Sequence, residues 1–265
     1  MANDFSYESE RSRVLSVPDH AGERYESILR ALHDYISPRT YLEIGTQGGK
    51  TLALSTCKSI AVDPEFKITS QTPIGRKPVC ALFQMTSDAF FAEYDPTALF
   101  RGPIDFAFLD GLHLSEYLLR DFSNTERYCD RNSIIAMHDC IPVEVSVAGR
   151  ENTKDRIEPH RRAWWAGDVW RTVVALKRHR PDLEIICLDA PPTGLVVVHK
   201  LDPWNRDLET NYTSIVNEMM SMNLAELGVD WLFSSLAVEE STPNFSTIAA
   251  IAARLRKPNA RPIRR

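Results

Sequence analysis

The chain has 265 residues, 43% of them apolar, enough to bury one large α/β core, and nothing in its composition divides it cleanly. Its formal charge is −5, but residues 254–265 hold six Lys/Arg and no acid, leaving 25 basic against 36 acidic residues in the body, a balance unsuited to tracking nucleic acid. Five cysteines that form no C-x-x-C pair (Cys57, Cys80, Cys129, Cys140, Cys187), no apolar signal segment and no window near the roughly 20 apolar residues of a membrane span imply reduced thiols, a cytoplasmic location and no membrane partner.

Residues 1–20 read as a polar leader. Over 21–36, Tyr25, Ile28, Leu29, Leu32 and Ile36 fall at helical spacing and stop before Ser37-Pro38, which predicts an amphipathic helix docked ahead of the core. Short apolar runs then alternate with helical patterns: strand 40–44, helix 49–56, strand 59–62, strand 81–85, helix 87–94, strand 104–109, helix 115–128 and strand 133–137. Such β-α alternation with near-continuous apolar strands predicts a parallel sheet covered by helices. After an irregular stretch over 141–165, a helix over 168–179 leads to runs at 184–189 and 195–199, joined by a Pro191-Pro192-Thr193-Gly194 turn. That connection is too short for a parallel crossover, so the two strands form an antiparallel hairpin. The predicted fold is an α/β doubly wound, seven-stranded, mostly parallel sheet with an antiparallel terminal hairpin. It occupies residues 21–200, followed by a helical extension over 201–253, with patterns at 208–227 and 247–255, and a basic tail over 254–265 that reads as a solvated terminus.

The segment Glu43-Ile44-Gly45-Thr46-Gln47-Gly48-Gly49-Lys50-Thr51 closes the first strand with a glycine-rich turn, where the main chain can approach a ligand. Gly49-Lys50-Thr51 matches the end of a nucleoside-triphosphate loop, G-x-x-x-x-G-K-[ST], but only three residues separate Gly45 from Gly49, and Ile44 stands where the first glycine belongs. The loop is one residue short, although the strand over 104–110 keeps a phosphotransferase as an alternative. The pattern [D/E]-x-G-x-x-x-G fits Glu43, Gly45 and Gly49 without adjustment. Asp63 at the end of the next strand supplies a carboxylate for two ribose hydroxyls, and Lys50 then reads as a helix-surface residue.

On these motifs, with the terminal hairpin, residues 40–200 resemble the class I S-adenosylmethionine-dependent methyltransferases. Within them, Asp110-Gly111-Leu112-His113, Met137-His138-Asp139 and Gly167-Asp168-Val169-Trp170 resemble the macrocin-type small-molecule O-methyltransferase branch. The resemblance implies S-adenosylmethionine as cofactor and a small-molecule or sugar hydroxyl as acceptor. Glu43, Gly45, Thr46 and Gly49 would shape its methionine side, Asp63 would bind the ribose, and Ser87 and Asp88 the adenine. Asp110, His138 and Asp139 would stand beside cofactor and acceptor. In metal-dependent relatives, carboxylates at these two strand ends hold a divalent cation, usually Mg2+; the imidazole of His138 suits a transition metal better. The other reading makes Asp139 a cap and His138 a satisfied strand-end residue. His113 could take the acceptor's proton, orient Asp110 or cap the following helix. Asp88 with Thr86 and Ser87 also makes a good helix start, and Asp121 reads as a solvated or structural acid.

Residues 150–171 concentrate Arg150, Arg156, His160, Arg161, Arg162, Trp164, Trp165, Asp168, Trp170 and Arg171 in one connection. This suits a lid over a substrate, with a homodimer contact as the competing use. Cys140, beside Asp139, reads as a small buried residue. Besides the phosphotransferase, a non-catalytic cofactor-binding module and a hydroxylase on the same fold remain as alternatives.

Overall fold

The computed structural model describes residues 13–241. The pattern at 247–255, the basic tail and the first part of the leader lie outside them. Seven strands, β1 (Thr40–Ile44), β2 (Lys58–Val62), β3 (Cys80–Phe83), β4 (Ile104–Leu109), β5 (Cys129–His138), β6 (Glu184–Leu188) and β7 (Leu195–His199), form one sheet in the order β3-β2-β1-β4-β5-β7-β6. The first five pair in parallel, while β7 runs antiparallel to both β5 and β6. The hairpin expected from the short 189–194 connection is therefore present, with its second strand inserted next to β5.

Alternation along the strands explains their continuous apolar character. Leu42, Ile44, Ala107 and Leu109 join one buried cluster, while Tyr41, Phe106 and Phe108, their neighbours in sequence, join another on the opposite face. Both faces are covered, so both sets of positions must be apolar. The first face is packed by helices that include α2 (Ser87–Glu93), α4 (Ser115–Arg127), α5 (Trp170–His179), α7 (Tyr212–Ser221) and α9 (Val229–Leu236). The second is covered by α1 (Tyr25–Ile36), which turns Ile28, Leu29 and Leu32 inward. Shorter helices are α3 (Pro96–Phe100), α6 (Asp207–Thr210) and α8 (Leu224–Leu227).

Several elements depart from the sequence pattern. Residues 49–56 form no α-helix; they make a single 3-10 turn over Leu52–Leu54, because the chain turns back at Ser55, whose hydroxyl bonds Ser59 at the head of β2, and α1 already covers that face. The pattern over 208–227 divides into α6, α7 and α8, with Asn223 capping α8 through Ala225 N. The third strand ends at Phe83 rather than 85, β5 begins at Cys129 and α1 at Tyr25; α3, too short to show a period, and α9 lie in segments for which the pattern predicted no helix. No helix among the described residues is long and apolar enough to cross a membrane, and all five cysteines are free thiols.

One buried ion pair ties α4 to the end of α5. Arg180, 1% exposed, donates to both carboxylate oxygens of Glu126 at 2.6 and 2.9 Å and also reaches Asp182. Glu126 additionally accepts from Asp202 N after β7. Removing one member leaves the other charged and buried. Arg180→Ala should therefore lower the unfolding free energy by about 3–5 kcal/mol in urea titration. A loss within the ordinary ±0.5 kcal/mol of a surface substitution would show that the pair is not structural.

Candidate active site

The chain order reverses between β1 and β4: β2 and β3 lie on one side, β5 and the hairpin on the other. Open α/β sheets hold ligands outside the carboxyl ends of their strands at such a reversal. A cavity of about 640 Å³ opens there, within the range of cofactor-sized sites. Its lining includes Gly45, Asp63, Ser87, Asp88, Asp110, His113, His138 and Asp139. Glu43, Thr46 and Gly49 stand behind it: Glu43 is buried and accepts from the Tyr41 hydroxyl at 2.6 Å, Thr46 is buried, and Gly49 packs on Pro73. Burial pushes the Glu43 carboxyl up to about 7, the Tyr41 hydroxyl opposing it.

Close backbone approach shapes the floor. Gly45 has φ +84°, and a Cβ there would lie 1.9 Å from the Asp110 carbonyl oxygen. Only glycine fits. The Asp63 carboxylate accepts from Gln47 N and Glu65 N, both at 2.7 Å, and so holds the glycine turn and its own turn together. Lys50 is not a free helix-surface residue: its ammonium pairs with Glu26 in the first turn of α1. Tyr25, the residue preceding Glu26, lies at the rim, where its ring is 3.9 Å from that of His138. Burial, with the charge of Asp110 next, pushes the Tyr25 phenol up.

Asp110 follows β4, His138 ends β5 and Asp139 follows it. His113 Nε2 lies 3.4 Å from Asp110 Oδ1 and 3.2 Å from Asp139 Oδ2. His138 Nδ1 lies 3.4 Å from each of the same two oxygens. His113 Nδ1 is 3.0 Å from the Trp165 carbonyl oxygen, which can only accept, so Nδ1 carries a hydrogen and Nε2 faces the carboxylates. Burial pulls both imidazolium groups down, but the Asp139 and Asp110 charges outweigh it and hold His113 at about 9 and His138 at about 10. Burial works to raise the Asp110 carboxyl; the two histidines overcome it and keep the group well below the usual carboxylate range.

The stretch that the sequence marked as a lid fixes His113. Trp165 stacks on its ring at 5.1 Å and anchors its own indole N–H on the Gly149 carbonyl at 2.8 Å. Asp168 N donates to the His113 carbonyl, and a Cβ on Gly167 would fall 1.8 Å from that oxygen. Asp168 also accepts from Ser115 N at 2.8 Å, capping α4 where Leu114 has no side chain to do so, and pairs with Arg150 and Arg171. His113 and Asp139 both adopt left-handed backbone, φ +60° and +61°, a strain that tends to persist at functional sites where surrounding contacts enforce it.

Asp110, His113 and Asp139 each offer a ligand atom within 4.8 Å of the other two. This set draws its imidazole from His113, where the sequence pointed to His138. The Asp88 carboxylate is gripped by Arg120 through Nε at 2.9 Å and Nη2 at 2.7 Å. Asp121 is buried rather than solvated and reaches the cavity. Trp165, Tyr25 and Asp121 are thus the residues at the site whose roles the sequence did not reveal; for Tyr25, the aromatic leading an otherwise aliphatic helix face was the available signal.

Residues 42–140 match a family model described as a methyltransferase domain. That match covers 99 of the 265 residues. The sheet has a Rossmann-like, mostly parallel order with an antiparallel end. No curated protein matches the sequence. Among solved structures, the chain is similar to the O-methyltransferase TomG from Streptomyces achromogenes, involved in tomaymycin synthesis and determined with SAM, at 16% identity and a TM-score of 0.48 over 66% of this chain and 78% of that one. An O-methyltransferase from Bacillus cereus in complex with SAH is similar at 14% identity and a TM-score of 0.46, over 68% and 83%.

The cluster's charges give the protein a pH signature. His113 has its pKa raised from 6.5 to about 9, so its stabilising contribution is complete below 6.5 and is lost as pH rises through about 9. Urea unfolding without added metal should show stability falling between pH 6.5 and 9.5, with a smaller fall in His113→Gln. Equal falls in the two proteins would contradict a charged His113.

Proposed function

We propose that this protein transfers the methyl group of S-adenosylmethionine to a hydroxyl of a small molecule. The observation that carries the reading is one continuous cavity lined by Asp63 and by Ser87 and Asp88 at one side and by Asp110, His113 and Asp139 at the other, in a methyltransferase domain. The ribose would sit on Asp63, whose oxygens are already aligned by two backbone N–H groups and keep lone pairs for the sugar hydroxyls. The methionine part would follow the Gly45 turn, with the sulfur toward the cluster. A sulfonium methyl is already a good electrophile, so the protein has to align acceptor, carbon and sulfur and remove one proton.

The cluster also fits a divalent cation. Two carboxylates and an imidazole whose other nitrogen is tied to a carbonyl are the donor set and outer contact that such ions use. The mixed oxygen and nitrogen donors suit a first-row transition ion better than Mg2+. Asp110, Asp139 and His113 Nε2 would hold it. Bound there, it would supply positive charge that lowers the acceptor hydroxyl's pKa. His113 Nε2 faces both carboxylates and in either state would orient the acceptor oxygen. Free thiols throughout suit a reducing compartment such as the cytoplasm. The Walker-like alternative finds no support, since Lys50 is committed to Glu26 and no α-helix opens behind the glycine turn.

Thermal shift with S-adenosylhomocysteine, set against ATP with Mg2+, tests the cofactor; stabilisation by ATP alone would overturn the reading. With radiolabelled S-adenosylmethionine and a panel of catechols, sugars and hydroxylated polyketides, methyl transfer should require both Asp110 and His113. His113→Ala should lower kcat by about 10²–10⁴-fold, and Asp110→Asn should weaken Mn2+ binding, read by electron paramagnetic resonance, by about 10–100-fold. Turnover unaffected by either variant would remove the cluster from the chemistry.

A further inference from the structure

Along the inward face of α4, Leu118, Phe122 and Thr125 are buried, as a helix packed on a sheet requires. Asp121 lies in the same stripe, 3% exposed. A carboxyl at such a position ordinarily has a cation beside it, yet among the described residues Asp121 forms no ion pair. The adjacent Arg120 does not serve it, because that guanidinium is turned to Asp88 and to the Tyr212 hydroxyl, over the Tyr117 ring. The Ser87 hydroxyl is its hydrogen-bonding neighbour. Beyond that, the Asp121 carboxyl faces the cavity beside Thr86, Ser87 and Asp88, with Oδ2 3.5 Å from where a Cβ on Gly111 would stand.

The candidate acid at this end from the sequence was Asp88. Both of its oxygens are occupied by Arg120 in a forked pair, which uses the planar geometry of the carboxylate and points it toward α4. Asp121 is deeper and, among the described residues, in no ion pair. We infer that Asp121 is the acid that reads the purine of the cofactor: its carboxyl offers one donor and one acceptor to an edge of the ring that presents a bare nitrogen beside an amino group. This rests on the cofactor assignment above and adds the residue that selects the nucleobase.

The electrostatics of the position agree. Burial raises the Asp121 carboxyl to about 7; Ser87 and Arg120 pull it down and the Asp88 charge pushes it up. From α2, Ser87 and Asp88 face it; from its own helix, Arg120 does; the turn after β4 presents Gly111. A substantial fraction of the molecules therefore carries the proton near neutrality, and a neutral carboxyl donates where a carboxylate cannot.

Calorimetric titration of S-adenosylhomocysteine at pH 6 to 8.5 separates the outcomes. If the protonated carboxyl is the binding form, the wild-type Kd should rise by about 30-fold across that range. Asp121→Asn keeps one donor and one acceptor, so its Kd should stay within about threefold of the wild-type value at pH 6 and lose most of the slope. Asp121→Ala should bind about tenfold more weakly at pH 6, also with a reduced slope. His113 and His138 are the same in all three proteins and contribute the same background slope. Thermal midpoints at pH 6 check that each variant is folded. An Asn variant that retains the full wild-type slope, or an Ala variant that binds as tightly as wild type, would overturn the role of Asp121 alone. A wild-type protein that binds no S-adenosylhomocysteine at any pH would overturn the cofactor assignment and this inference with it.

Discussion

The site depends on the close passage of Gly45 over the Asp110 carbonyl. Residues at the ends of β1 and β4 meet there because the strand order reverses between them, and hydrogen bonds from Gly45 N to Val62 O and from Asp110 N to Ile44 O keep the three strand ends level. A side chain in that gap, 1.9 Å from the carbonyl, would force the strands apart. With the strand ends held level, Asp63, Asp110 and Asp139 all follow their strands onto the same rim. Three carboxylates from three strands then line one cavity.

What the sheet does not fix, the connection after β5 does. His113 sits on a strained left-handed backbone, which costs of the order of 1–3 kcal/mol. It is held by Asp168 N on its carbonyl, by the close pass of Gly167 and by Trp165 on both ring face and Nδ1. The connection is itself pinned: Arg161, 2% exposed, binds Glu144, Asp19, Ser16 and the Val17 carbonyl. Leader residues at 16–19 thus brace this connection, and the connection braces the histidine. The geometry at Nε2 is consequently a property of the whole rim.

Much of this was legible in the chain because it followed from local rules. Continuous apolar strands revealed a sheet buried on both faces, and the short 189–194 connection revealed its antiparallel end. Spacing, with Asp63 and the terminal hairpin, favoured a cofactor turn over a phosphate loop and left the latter as an alternative. Less legible were contacts that join distant segments. Nothing near Lys50 announces that it would reach Glu26, or that α1 would lay Tyr25 against His138. The absence of an α-helix after Gly49 has the same origin, since α1, from earlier in the chain, took the face that helix would have covered. Asp121 read as a solvated or structural acid because helical periodicity shows which side a residue faces and not whether a cavity lies there. Nor does anything near His113 announce that Trp165, 52 residues further on, would hold its Nδ1.

The central claim is that one cavity holds the cofactor with its sulfur against the Asp110, His113 and Asp139 cluster. A crystal structure soaked with S-adenosylhomocysteine and Mn2+ tests it directly, with anomalous scattering locating the ion. The account predicts the ribose on Asp63, the purine against Asp121, the sulfur facing His113 and the ion among the three donors. A ligand bound elsewhere, or one lying in the cavity with its purine end at the cluster and its sulfur away from it, would contradict it.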